Sequence, residues 1–184
     1  MNDRQLLFAT LRRQILALLL AVRVVTFFAG APAALAAPVA EASAAVSSQA
    51  PDRFSPQEFL ALTNQYRAAA GQAPLALNAT LDAAAEAKAQ DMAAKGYWDH
   101  FRPGDHKAPW DFITEAGYSY RVAGENLAYG FSTPAGISHA WMQSPAHRAN
   151  LLSPKYQEVG FACVEIVKDG QPVLLTVQMF ATPR

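Results

Sequence analysis

The chain has 184 residues, 15 Lys and Arg against 15 Asp and Glu, 52% hydrophobic residues and a single Cys. Zero formal charge argues against a general nucleic-acid binder, which needs surplus Lys and Arg to release counterions from phosphates. One Cys excludes an internal disulfide and any cluster of Cys ligands for zinc or iron.

The whole-chain averages mix unlike segments. Residues 1–36 place Arg4, Arg12 and Arg13 ahead of apolar runs over 15–22 and 24–30, and finish in Ala34-Leu35-Ala36. A basic start, an apolar middle and a small-x-small end predict a signal peptide over 1–36, cleaved after Ala36, and hence a secreted or periplasmic protein. Arg23 divides the apolar stretch, and a charge at mid-membrane costs about 2.5 to 3.5 kcal/mol on insertion scales, so no stable membrane span is expected. The leader takes four of the basic and one of the acidic residues, which leaves the exported part at −3. Residues 37–53, rich in Ala, Ser and Pro and without an aromatic, read as a disordered linker. The folded unit then covers 54–184, enough for one core.

Within that unit, Ser55-Pro56-Gln57-Glu58 starts a helix, with Ser55 as N-cap, Pro56 at the first helical position and Glu58 closing a capping box. Phe59, Leu62, Tyr66 and Ala69 or Ala70 supply its apolar spacing, and Gly71 ends it. A second helix follows Asn78, with Leu81, Ala85, Ala89 and Met92 on one face and Gly96 as the stop. Residues 97–109 read as a loop, and 110–116 as a short helix closed by Gly117. The stretch 118–130 has small residues and an acid–amide pair between apolar positions, and its conformation stays open. Thr133-Pro134 starts a helix running to about Gln143, and Ser144-Pro145 a shorter one to about Leu152. Residues 159–167 and 173–180 are β-branched and aromatic around a Lys168-Asp169-Gly170-Gln171 turn, so they predict a β-hairpin. Both alternate faces of its first strand are apolar, as in an inner strand covered on two sides. Cys163 lies in that strand, where a packing role outweighs a reactive one. Helices followed by strands in one unit predict an α+β fold with helices on both faces of an antiparallel sheet.

No His-Glu-x-x-His helix, Gly-x-Ser-x-Gly elbow or glycine-rich phosphate loop is present. What remains is a dispersed set: His100, Glu125 and His147. Two imidazoles and a carboxylate suffice for an open Zn²⁺ site completed by water. His147 falls at the third position of the helix begun by Ser144, where the positive helix terminus favours the neutral, ligand-competent imidazole. The same residue in a purely structural role would hydrogen-bond its neighbouring backbone. Glu125, between Gly124 and Asn126, either caps a turn through backbone N–H groups or serves chemistry. His106 and His139 lack supporting context and are expected at the surface.

The segments Asn64-Gln65-Tyr66-Arg67, Gly71 to Leu75, Gly117 to Arg121, Gly124-Glu125-Asn126-Leu127-Ala128, Trp141 to Leu152 and Gln178-Met179-Phe180 together resemble the CAP superfamily. These are the SCP-like domains of cysteine-rich secretory proteins, antigen 5 and pathogenesis-related proteins, here in a cysteine-poor bacterial form. The resemblance implies a three-layer α-β-α sandwich with a cleft on which His100, Glu125 and His147 converge as candidate metal ligands, with Asn126 and Ser144 as cleft-lining candidates. The family pattern often carries two His and two Glu. Ser144 stands where the second Glu would be, which removes a candidate second carboxylate for acid–base work. The resulting expectation is a secreted, non-catalytic protein whose cleft takes Zn²⁺ or another divalent cation and a small apolar, lipid or cell-envelope ligand. The alternative is a metal-dependent hydrolase or peptidase with Glu125 as its catalytic group. A third is an interaction module without a working cleft.

Overall fold

The computed structural model describes residues 54–168 and 171–184, with Lys168 and Val173 described by their backbone alone. The expected signal peptide over 1–36, the linker over 37–53 and the Asp169-Gly170 turn centre lie outside the described residues. No described helix is long and apolar enough to cross a membrane.

The helices start and stop where Pro, Ser, Asn and Gly place them. Helix α1 spans Pro56–Ala69, and the Ser55 hydroxyl accepts from the Glu58 N–H, which satisfies one orphan donor of the first turn. Its buried positions are Phe59, Thr63 and Arg67. That stripe replaces the expected one through Leu62 and Tyr66, which are not among its buried residues. The substitution is possible because both polar members find partners. Arg67 donates to the carbonyls of Ala73, Leu151 and Ser153 at 2.7 to 2.9 Å, and Thr63 accepts from Gln178.

A two-residue strand β1 (Ala76–Leu77) leads into α2 (Ala79–Lys95). Asn78 caps α2 by accepting from Thr80 and Leu81 N–H, and Gly96 closes it in the left-handed region at φ 64°. The expected face Leu81, Ala85, Ala89 and Met92 is buried, joined by Ala84 and Lys88. Helix α3 (Pro109–Glu115) follows. The open stretch then resolves into strand β2 (Tyr120–Tyr129), succeeded by α4 (Pro134–Gln143), α5 (Pro145–Leu151), β3 (Glu158–Lys168) and β4 (Gln171–Pro183).

The sheet order is β1-β3-β4-β2. β3 pairs antiparallel with β4, and β4 with β2. The sheet is nevertheless mixed, because β1 runs parallel to β3 through Ala76 opposite Glu158 and Leu77 opposite Val159. This short strand is held in place by Asn64, whose side-chain amide both donates to the Leu75 carbonyl and accepts from its N–H. Two residues are too few for an alternation pattern, so the parallel pair has no sequence signal.

Two apolar clusters sandwich the sheet and complete an α-β-α architecture. On one side, Leu81, Ala85, Ala89 and Met92 of α2 and Phe112 and Ile113 of α3 pack on Ala162, Val164, Leu175, Val177 and Met179. On the other, Phe59, Ile137, Trp141 and Leu151 pack on Val159, Phe161, Cys163 and Phe180. Both faces of β3 are thus buried, as its sequence predicts. Cys163 is one of these packing residues. Burial pushes its thiol up to about 11, against a hydrogen-bond contact with the Thr176 hydroxyl at 3.2 Å, so it is protonated at neutral pH. Gly160 sets the spacing of the α2 layer: a Cβ there would stand 2.2 Å from the Leu81 carbonyl carbon and 2.3 Å from the Asp82 nitrogen. The Asp82 carboxylate uses the proximity to accept from the Phe161 N–H at 2.8 Å.

Candidate functional site

Strand β2 is an edge of the sheet, and the candidate site is built around it. The Gly130 N–H bonds the Leu174 carbonyl, so the even-numbered residues of β2 turn their peptide groups toward β4 and the odd-numbered ones toward the open edge. Three successive outward carbonyls are covered by side chains. Tyr156 donates to Ala123 O at 3.3 Å, Asn150 to Glu125 O at 3.0 Å and the Trp141 indole to Leu127 O at 3.0 Å. This keeps the edge from pairing with another strand.

The side chains alternate across the sheet. Asn126 points toward α5, where its amide donates to Gln178 at 3.0 Å and to the His147 carbonyl at 3.2 Å. Asn150 donates to the Asn126 oxygen at 2.9 Å, and Gln178 donates to Thr63 at 3.3 Å. A continuous polar belt therefore ties α1, β4, β2 and α5 together. Gly124 leaves room for Tyr156, whose hydroxyl would lie 2.3 Å from a Cβ at that position.

Glu125 points the other way, toward α2. Its side chain is 1% exposed, and Oε1 meets His100 Nδ1 at 2.6 Å. The hydrogen bond to Glu125 holds the half-exposed His100 imidazole above its ordinary pKa. Burial pushes the Glu125 carboxyl up, and the His100 contact and the Lys88 charge pull it back. Glu125 Oε2 is buried and has no hydrogen-bond partner among the described residues.

Lys88 completes the arrangement and is invisible to a hydrophobic-pattern argument, since it sits fully buried on the apolar face of α2. Its ammonium donates to the carbonyls of His100 at 2.7 Å and Asp99 at 3.0 Å and to the Tyr97 hydroxyl at 3.2 Å, with the Tyr97 ring centroid 4.9 Å away. Burial lowers its pKa, and the charges of Glu125, Asp91 and Asp99 raise it back. The residue thereby fixes the loop that carries His100. Arg102 fixes the rest of that loop, through Asp91 at 2.9 Å and Asp105 at 2.9 Å.

A cleft of about 260 Å³ opens beside the pair, lined by His100, Phe101, Trp110, Glu125, Asn150 and Tyr156 among others. His147 lies in the first turn of α5, half-buried, with its pKa lowered by burial first and by the charge of His100 second. Ser144 joins α4 to α5 as the positional cap of α5, but its side chain makes no capping bond. His106 and His139 are exposed, as expected.

A divalent ion on His100, Glu125 and His147 requires three donors to converge. Among the described residues no group of three His, Cys, Asp or Glu side chains is gathered so as to hold a metal ion. The His100 Nδ1 and Glu125 Oε1 are spent on each other rather than turned toward a shared ion, although α5, which carries His147, borders the cleft through Asn150. As the side chains stand, His100, Glu125 and His147 are not gathered as a three-ligand centre.

The family model described as "CAP: Cysteine-rich secretory protein family" matches residues 60–180, spanning β1 to β3 and most of α1 and β4. The chain belongs to that family. The Bacillus subtilis protein YkwD is 39% identical over 131 residues, which cover 70% of this chain and 51% of YkwD. An extracellular protein containing a SCP domain from Bacillus anthracis has a similar structure, with a TM-score of 0.58, 26% identity and coverage of 68% of this chain and 39% of that one. An outer surface protein from Borrelia burgdorferi shares the fold at a TM-score of 0.61 and 19% identity, over 70% of this chain and 92% of its own. This CAP chain therefore spans about half the length of YkwD.

Proposed function

We propose that the chain is an exported CAP-domain binding protein whose cleft, centred on His100 and Glu125, holds a small ligand without transforming it. One observation carries this reading: a buried carboxylate at the cleft has one oxygen held by His100 and the other, Oε2, left without a partner among the described residues. Leaving a buried charged oxygen unsatisfied costs stability, and a ligand that donates to it removes that cost. Absence of catalysis is favoured because Ser144 stands in place of a second carboxylate and, among the described residues, no second acid lines the cleft. Glu125 is then the one carboxylate lining the cleft among those residues, so hydrolysis by a pair of carboxylates has no second partner there. Export is supported by the leader-like residues 1–36, and by the extracellular and outer-surface descriptions of the Bacillus anthracis and Borrelia proteins.

The experiment is an amide NMR titration of the purified protein with a fatty acid, a sterol, an oligosaccharide and Zn²⁺ in turn. The binding reading expects at least one probe to shift His100, Phe101, Gly124 and Glu125 together, and to lose that effect in Glu125→Gln. Silence at those residues with every probe would contradict it.

A metal-dependent hydrolase is the second reading, favoured by the same unpartnered Oε2. It requires the His147 ring to join His100 and Glu125 on the ion. Peptide-library cleavage abolished by chelation and by Glu125→Ala would establish it in place of passive binding.

A further inference from the structure

The cleft has two kinds of wall. Phe101 and Trp110 give it aromatic surface, with Phe101 48% exposed. Beside them Glu125 presents a buried oxygen that, in the ionised carboxylate, can only accept. That oxygen is already shielded from solvent, so a hydrocarbon chain leaves it unsatisfied as it stands, whereas a ligand that carries a donor gains a hydrogen bond to it. Its charge is constrained as well. Lys88 and Arg102 face Glu125, Asp91 and Asp99 here, so the carboxylates near the cleft are already met by cations. A cation gains little there, and a neutral donor loses nothing. The cleft volume, about 260 Å³, lies below the usual range of roughly 300 to 1,000 Å³ for sites enclosing drug-sized ligands, which suits a single ring.

A second aromatic surface lies further along the same strand. Trp98, 48% exposed, rests against Tyr129 with ring centroids 5.4 Å apart. Tyr129 is on the same face of β2 as Glu125, four residues on, or about 13 Å at the usual rise per residue. The two aromatic surfaces are thus arranged in line with the open edge of the sheet.

We propose that this cleft binds a neutral glycan, with one pyranose ring against Phe101 and Trp110, its hydroxyl donating to Glu125 Oε2, and a following ring against Trp98. The ring's C–H face supplies the apolar contact and its hydroxyls the donors, the combination that the cleft lacks in itself. This inference rests on the binding-cleft reading above and names the ligand class.

The test titrates the purified protein with chitotriose, following tryptophan fluorescence and amide shifts. Dodecanoate and choline are run as separate arms. Saturable binding of chitotriose is expected, with shifts at Trp98, Phe101 and Glu125. Glu125→Gln and Phe101→Ala should each weaken it tenfold or more, and Trp98→Ala several-fold. Phe101 and Trp98 are half-exposed, so their truncation keeps the fold, which circular dichroism verifies. Chitotriose binding unchanged in all three variants would overturn the proposal. If chitotriose leaves the cleft residues unmoved while dodecanoate or choline shifts them, the glycan inference falls and the cleft reading stands. If no probe shifts them, both fall.

Discussion

The two faces of the sheet are held to their helices by different means. Beneath α2 the packing is close and largely apolar: small side chains and Gly160 bring the helix backbone against β3, with Lys88, Glu125 and the Asp82–Phe161 bond among its few polar contacts. Beneath α1 and α5 the sheet carries Thr176, Gln178 and Asn126, buried but bonded to one another or to their neighbours. The lesson is that shape fixes the first layer and hydrogen bonds fix the second. The cleft lies at the β2 edge, where the two regimes meet.

Overpacking the close layer should have the largest effect. Gly160→Ala puts a methyl group into the α2 backbone, which cannot swing aside as a side chain can, and about 3 kcal/mol of stability should be lost. A denaturant midpoint within experimental scatter of the parent would show that α2 is not fixed by that contact.

Lys88→Met is the next test. It keeps an unbranched side chain of similar length but strands the Asp99 and His100 carbonyls and takes one donor from the Tyr97 hydroxyl, which keeps its bond to Asp91. About 2 kcal/mol should be lost, and hydrogen exchange across 97–102 should accelerate relative to α2. Unchanged exchange there would mean that Lys88 does not position the His100 loop.

Disturbing the polar belt should cost less. Gln178→Met leaves Thr63 without its donor and takes one acceptor from Asn126, which retains the His147 carbonyl. About 1 to 2 kcal/mol is expected, with amide shifts spreading to α1 and α5 and sparing α2. Equal perturbation of both helical layers would dissolve the distinction between the faces.

Helix boundaries were legible in the sequence because they depend on local chemistry: Ser55-Pro56, Asn78, Thr133-Pro134 and Ser144-Pro145 at the starts, Gly71, Gly96 and Gly117 at the stops. The β3–β4 pair was legible from its β-branched run. The buried stripe of α1 was not, because Thr63 and Arg67 belong inside only when Gln178 and the Leu151 and Ser153 carbonyls are there to meet them, and those partners are remote in sequence. β2 gave no clear alternation because its inward positions include Glu125 and Asn126, each bonded to a residue from another element. The meeting of His100 with Glu125 came only from family resemblance. Lys88, the residue that holds the His100 loop, occupies a helical core position where pattern alone predicts an apolar side chain.

The central claim is that the cleft is organised around a His100–Glu125 pair. Both partners have pKa values raised in the fold, so the folded protein retains protons that the unfolded chain gives up. The contribution of His100 to stability is full below its unfolded value, about 6.5, and is lost as pH rises through the higher folded value; Glu125 acts with the same sign. An NMR titration of the His100 ring tests the pair directly. A midpoint above that of an ordinary histidine in the parent, falling toward it in Glu125→Gln, is the predicted result. An ordinary midpoint in both proteins would contradict the pairing and the cleft built on it.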